Sequence, residues 1–281
     1  MTAITASLVK DLREKTGAGM MDAKKALVET GGNMEAAVDA LRAKGLAKAG
    51  KKAGRATGEG VVAMALAADG LSGALAEVNC ETDFVARNAD FQSLAAKAAA
   101  EVLANGNADA LSGEVANLIA TIGENMAVRR AARLSVTQGL VAGYAHAALA
   151  PGIGRIGVLV ALEGPGDLAA AARQLALHVA AANPSALDRA ALPAEAVERE
   201  RAVLRAQAAE SGKPPAIVEK MVEGRLKQFY AERCLLEQAL VTNPDVTVGA
   251  FLESAAPGAR VAGFARLALG EGAEAADDAA A

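Results

Sequence analysis

The sequence predicts an α+β fold, and three observations carry that expectation. Apolar residues recur at helical spacing between glycines over residues 5–45. A strand hairpin followed by a helix occurs twice between residues 59 and 190. A charged helical stretch, broken at Gly212-Lys213-Pro214-Pro215, occupies residues 191–236. The chain of 281 residues is 53% hydrophobic and 22% charged but only 2% aromatic, so its core is expected to be alanine-rich and close-packed.

In residues 1–46, Leu8, Val9 and Leu12 share one helix face before Gly17, and Ala23, Ala26 and Leu27 share another before Gly31-Gly32. Asn33 is placed to cap a third helix carrying Ala37, Val38 and Leu41, which is expected to stop at Gly45. Residues 47–58 read as a basic linker: Lys44, Lys48, Lys51, Lys52 and Arg55 stand among alanines and glycines, the composition of a solvated tether. A first core subdomain, 59–137, opens with strands at 61–66 and 75–78 around the turn Ala68-Asp69-Gly70. It continues with a helix carrying Phe91, Leu94, Ala95, Ala98 and Val102, a second helix at 115–122, and an alternating edge strand.

The pattern recurs in a second subdomain, 138–190. Gly139-Leu140-Val141-Ala142 echoes Gly60-Val61-Val62-Ala63, Gly157-Val158-Leu159-Val160 stands where Gly73-Ala74-Leu75-Ala76 stood, and a helix follows at 168–182. In 191–236, Val197, Val203 and Leu204 on one arm answer Val218, Val222, Leu226 and Phe229 on the other, the pattern of an antiparallel helical hairpin. This coiled-coil insertion is also the candidate surface for a homodimer. Residues 237–270 are expected to return to the second subdomain through a short helix at 246–252 and a strand at 260–269. Residues 271–281 form a short tail of alanine and acid, expected to fray.

Composition excludes several function classes. A net charge of −4 argues against coating nucleic acid, and no aromatic is interleaved in the basic cluster for base stacking, so no direct nucleic acid partner is expected. No run approaches the ~20 apolar residues of a membrane helix, and the start lacks a leader pattern, so no membrane partner is expected and the protein is read as cytoplasmic. Cys80 and Cys234 make neither a disulfide framework nor a zinc site and read as free thiols. Gly152-Ile153-Gly154-Arg155-Ile156-Gly157 matches a dinucleotide fingerprint, but a strand rather than a helix follows it, so the glycines read as turn formers. Cys80 with His146 or His178 lacks the signature of a nucleophile and base. No cofactor, no metal and no enzymatic chemistry are expected.

Two stretches remain that place apolar side chains in connections. In Val78-Asn79-Cys80-Glu81-Thr82-Asp83-Phe84-Val85-Ala86-Arg87-Asn88, a strand-like run gives way to a helical one, and Phe84 stands beside an acid. By residue type Phe84 and Val85 are either core tucked under the hairpin, the commoner fate of large apolar residues, or an exposed wedge. In Thr16-Gly17-Ala18-Gly19-Met20-Met21-Asp22, glycines allow a sharp turn whose two thioethers are either core filling or a flexible contact surface.

These strings resemble the bacterial elongation factor Ts family, whose signature is Thr-Asp-Phe-Val. The likeness extends through Ile4-Thr5-Ala6-Ser7-Leu8-Val9-Lys10, Ile122-Gly123-Glu124-Asn125, Arg155-Ile156-Gly157-Val158-Leu159-Val160, Ser211-Gly212-Lys213-Pro214 and Met221-Val222-Glu223-Gly224-Arg225. The resemblance implies an N-terminal three-helix ubiquitin-associated-like domain, a core of two related antiparallel-sheet-plus-helix subdomains, and a guanine nucleotide exchange factor for elongation factor Tu. It implies that Thr82, Asp83, Phe84 and Val85 disturb that partner's Mg2+ and phosphate site, and that Leu12, Met20, Met21 and His146 make further contacts. Set against the same resemblance, the chain is expected to carry extra residues between His146 and Arg155 and to lack the family's longer C-terminal helix. The alternative class is a non-catalytic scaffold with a helical binding module.

Overall fold

The computed structural model describes residues 4–271. Three helices come first: α1 Ala6–Thr16, α2 Met20–Glu29 and α3 Met34–Gly50. Thr5 Oγ1 accepts from Leu8 N to cap α1, Gly17 closes it at φ 66°, and Asn33 caps α3 through Ala36 N. Val9, Leu12, Ala23, Ala26, Leu27 and Ala37 form the core these helices share.

The third helix does not stop at Gly45, and residues 47–58 are not a loose tether. Gly45 lies inside α3 and is buried, because the absent side chain lets α3 pack on a later helix, α6. A Cβ there would lie 3.3 Å from Asn117 Oδ1 and 3.7 Å from the Ala120 Cβ. Four of the five basic side chains have partners: Lys44 and Lys48 reach Asp22 at 2.8 and 3.1 Å, Lys52 donates to the Gly123 carbonyl, and Arg55 pairs with Glu81 at 3.4 Å. The boundary expected at residue 46 thus falls within a helix, and tertiary packing overrides glycine's weak helix propensity.

The core follows as β1 Glu59–Leu66, β2 Ser72–Cys80, the single turn α4 Asp83–Ala86, α5 Ala89–Asn105, α6 Ser112–Ile122, β3 Met126–Ser135, β4 Leu140–His146, β5 Ile153–Gly154, β6 Ile156–Glu163 and α7 Ala169–Ala182. A helical hairpin, α8 Ala194–Ala209 and α9 Pro215–Arg233, precedes β7 Ala239–Leu240, β8 Asn243–Thr247, α10 Val248–Ala255 and β9 Arg260–Ala268. One antiparallel sheet runs β3-β2-β1-β5 and a second runs β4-β6-β9, so the fold is α+β.

Side-chain alternation explains how the sheets stack. On β1 and β2, Val61, Ala63, Ala74, Ala76 and Val78 face Phe91, Leu94, Ala95 and Ala98 of α5. The alternate residues Val62 and Leu75 face Leu159 and Ala161 of the other sheet, whose Val158, Val160 and Leu162 turn to Ala172, Leu175 and Val179 of α7. The layers therefore run helix, sheet, sheet, helix, and β2 and β6 are buried on both faces. Gly157 permits the close approach: a Cβ there would sit 2.6 Å from Val62 Cγ1. The two hairpins also open on the same device. Gly60 at φ 144° and Gly139 at φ 135° would each drive a Cβ to within 2.2 Å or less of a carbonyl on the neighbouring strand, Val78 O and Leu162 O.

An ion pair with a buried carboxylate and a partly exposed guanidinium joins the sheets where they meet β9. Glu77, fully buried, accepts from Arg130 Nε at 2.5 Å, from Asn79 Nδ2 at 3.2 Å and from Gly270 N at 3.3 Å, while Arg130 Nη2 donates to Ala268 O at 2.7 Å. In the helical hairpin, Leu204, Ala208, Val218, Val222 and Leu226 close the seam, flanked by the pairs Arg201–Glu223 and Arg205–Glu219. Glu271 pairs with Arg266 at 2.8 Å, and the rest of the tail expected at 271–281 lies outside the described residues. Among the described residues no helix is long and apolar enough to cross a membrane.

Candidate functional site

Where β2 ends, the chain makes one helical turn that sorts four consecutive side chains between core and solvent. Thr82 is its N-cap, with extended backbone at φ −129°, ψ 155° and Oγ1 accepting from Val85 N at 3.4 Å. At about 100° per residue, two neighbours on so short a turn point inward and the two before them point out. Val85 and Ala86 join the α5 core, being 7% and 3% exposed, whereas Asp83 and Phe84 face solvent. Phe84 is 81% exposed, more than any other large apolar side chain among the described residues. Seven residues on, Phe91 is fully buried under the hairpin, so the core position open to an aromatic here is already filled.

Asp83 keeps a loose contact with Arg87, 3.8 Å away, and stays half exposed. A surface pair of this kind holds little energy, so the carboxylate is free to take another partner. Behind the turn, Cys80 Sγ donates to Thr82 O at 3.2 Å. Burial first, and the nearby Glu124 carboxylate second, push this thiol up to about 12, so it stays protonated and is no nucleophile at neutral pH. His178 is also committed: it is buried, its Nδ1 accepts from Val241 N and its Nε2 bonds Gln238 Oε1 at 2.9 Å.

The second apolar patch is at the start of α2. Met20 and Met21 are its first two residues, 56% and 76% exposed, and Gly19 before them provides no side-chain cap. Leu12 belongs to the interior: it is fully buried between the three helices, so neither it nor Val85 presents a side chain outward. Asp22, one position after the methionines, is drawn below the usual carboxylate range chiefly by the hydrogen bond from Lys44, then by that from Lys48, which fixes the start of α2 on α3. Thr121 of α6 reaches back to the Gly17 carbonyl at 3.4 Å. Together with the α3–α6 packing, this holds Met20 and Met21 in a fixed relation to the core.

His146 ends β4, exposed, with Nδ1 3.2 Å from the Tyr144 hydroxyl, and its carbonyl accepts from Arg155 N. The residues after it fold into a turn through Ala147, at φ 50°, and return as β5, which pairs with β1. Beside them lies an open groove of about 670 Å3 lined by Met64, Leu66, Leu140, Tyr144, Leu149 and Arg173. Of the fingerprint glycines, Gly152 lies in this turn and Gly154 in β5, while Gly157 is a residue of β6 where the sheets pack and forms no turn. Reading by sequence missed the exposed Val28 and Leu46 on the helical module, and it missed the carboxylates of Glu81 and Glu124 that brace the α4 turn. No local pattern marks those acids, since their partners lie more than 40 residues away. Among the described residues no group of three or more His, Cys, Asp and Glu side chains could hold a metal ion.

Among the described residues, Cys80 and His178 are both buried and bonded to neighbours other than each other. The arrangement presents apolar and acidic side chains from rigid supports, which is the equipment of a surface that grips another protein. Residues 81–271 match the family model described as Elongation factor TS. Proteins named Elongation factor Ts from Hyphomonas neptunium (54% identical, covering 99% of this chain and 96% of the relative), Paramagnetospirillum magneticum (53%, 98% and 94%) and Gluconobacter oxydans (54%, 98% and 94%) align over nearly their whole lengths. With the α4 turn, the paired methionines and the two sheets all inside that alignment, the chain belongs to the elongation factor Ts family.

Proposed function

We infer that this protein is a guanine nucleotide exchange factor for elongation factor Tu, promoting replacement of GDP by GTP during translation elongation in the cytoplasm. The observation that carries the reading is Phe84, a bare aromatic ring on a turn held from behind by buried Val85 and Ala86. Exposing a phenyl group to water is unfavourable, and the exposure is relieved when a partner covers the ring.

In this reading Phe84 enters between helices of the partner's nucleotide-binding domain while Asp83 supplies a competing charge or hydrogen bond. The groups that support Mg2+ shift, and the grip on the phosphates loosens. Met20 and Met21 bind the same domain from a module of ubiquitin-associated type, and His146 with the adjoining groove anchors a second region of the partner. Leu12, Thr82 and Val85 act from inside by fixing these surfaces. The matched glycine devices and helices of the two sheets support a core of two related subdomains. The helical hairpin, with Val203 and Ile217 exposed, is the surface a second copy would use.

No covalent step is needed. The factor works by binding nucleotide-free elongation factor Tu more tightly than the GDP complex, and linkage makes the effect reciprocal. Moving the partner from almost wholly GDP-bound to almost wholly empty takes a differential of about 5.5 kcal/mol. The test is release of a fluorescent GDP from elongation factor Tu with and without this protein. Acceleration supports the reading, and an unchanged rate rejects it.

A further inference from the structure

Two carboxylates cross between the β2–α4 connection and the α6–β3 connection, each bonding the residue that follows the other. Glu124 accepts from Thr82 N at 3.0 Å through Oε2 and from Thr82 Oγ1 at 2.7 Å through Oε1. Glu81 accepts from Asn125 N at 2.6 Å. That hydrogen bond, more than any other influence, draws the Glu81 carboxyl below its ordinary range. Asn125, itself buried, donates from Nδ2 to the carbonyls of Ala53 and Arg55 and so ties in the segment behind α3.

The consequence falls on α4. Four residues cannot sustain a helix by themselves, because nucleation costs more than one turn of hydrogen bonds returns. The turn is therefore held at its ends and by Val85 and Ala86 beneath it. At the N-terminal end, Thr82 has one hydroxyl proton, and a carboxylate can only accept. With that proton committed to Glu124, the Oγ1 lone pairs face Val85 N and the cap is made. Glu124 also satisfies Thr82 N, which would otherwise lose its protein partner.

We propose that Glu124 is a positioning residue for nucleotide exchange: it acts through Thr82 to set the direction in which Asp83 and Phe84 leave the α4 turn. It touches neither nucleotide nor Mg2+. The inference rests on the wedge reading of Phe84 and adds the residue that aims the wedge.

The test measures fluorescent GDP release from elongation factor Tu over a range of concentrations of this protein, separating the maximal rate from the half-saturating concentration. Glu124→Ala, Glu124→Gln, Phe84→Ala and the double variant Glu124→Ala/Phe84→Ala are compared, each with a thermal melt. Glu124→Ala, which removes both hydrogen bonds to Thr82, is expected to lower the maximal rate about tenfold, while half-saturation moves by less than about twofold. Glu124→Gln, which keeps an acceptor for Thr82, restores most of the rate. In the Phe84→Ala background Glu124→Ala adds nothing, because there is no ring left to aim. The proposal is overturned by an undiminished maximal rate in Glu124→Ala, by a loss confined to half-saturation and melting temperature, or by an additive loss in the double variant. A Phe84→Ala rate equal to that of the parent removes the wedge itself, a different failure visible without Glu124.

Discussion

Replacing Phe84 by alanine separates the contact surface from the fold. The ring is 81% exposed in the free protein, so its removal opens no cavity, and stability should change by no more than about 0.5 kcal/mol. Its contribution appears when the partner covers it. An aromatic side chain has about 150–250 Å2 to bury, so an exposed fraction of 81% leaves roughly 120–200 Å2 for the partner. At about 25 cal/mol per Å2 that area represents about 3–5 kcal/mol. Alanine keeps a methyl group, and coverage in the complex is incomplete, which brings the loss to about 2–4 kcal/mol, or about 30- to 1,000-fold in the rate of catalysed release. Stopped-flow release of fluorescent GDP from elongation factor Tu at saturating factor reads this directly, with a circular dichroism melt as the control for folding. A variant that melts like the parent and releases GDP within about twofold of its rate would refute the reasoning, because so exposed a ring would then have no partner.

Three further outcomes follow from the same structure. His146→Ala should weaken the complex about five- to tenfold by calorimetry, a rim contact rather than a wedge, and unchanged affinity would remove its anchoring role. Arg130→Met leaves the fully buried Glu77 carboxylate with only Asn79 and Gly270 as donors, so chemical denaturation should show a loss of about 2–4 kcal/mol, largely recovered in Arg130→Met/Glu77→Leu. His178 is held below the ordinary imidazole range by burial, which outweighs the opposing hydrogen bond to Gln238. The unfolded chain therefore binds a proton at higher pH than the folded one, and stability should fall as pH drops through and below about 6.5. Melting temperatures between about pH 7 and pH 5 measure the slope, which should flatten in His178→Gln.

Much of the secondary structure was legible because it depends on neighbours in the chain. Leu8, Val9 and Leu12 mark one helix face, Asp69-Gly70 marks a hairpin turn, and the alternation in the second half of residues 123–136 marks an edge strand, which the structure begins earlier, at Met126. Gly45 misled for the same reason. As a local signal it reads as a helix stop, but the helix continues to Gly50 because Asn117 and Ala120 of another helix occupy the space a side chain would fill. The basic run from Lys44 to Arg55 read as a tether because Asp22, Glu81 and Gly123 are distant in sequence, and a charge count over a window cannot include them.

The candidate site divides along the same line. Order and spacing of short strings were enough to assign the family, since they are properties of the chain itself. Whether Phe84 is core or surface was not, because its residue type fits both. The decision came from one turn of helix capped by Thr82, from Phe91 already filling the space under the hairpin, and from a carboxylate 42 residues away. Burial and hydrogen bonding between distant segments arise only when the chain closes on itself. Sequence alone therefore determined most of the long helices and strands and the family they compose, while the tertiary structure decided where α3 ends, the short strands β5, β7 and β8, and which way each side chain faces.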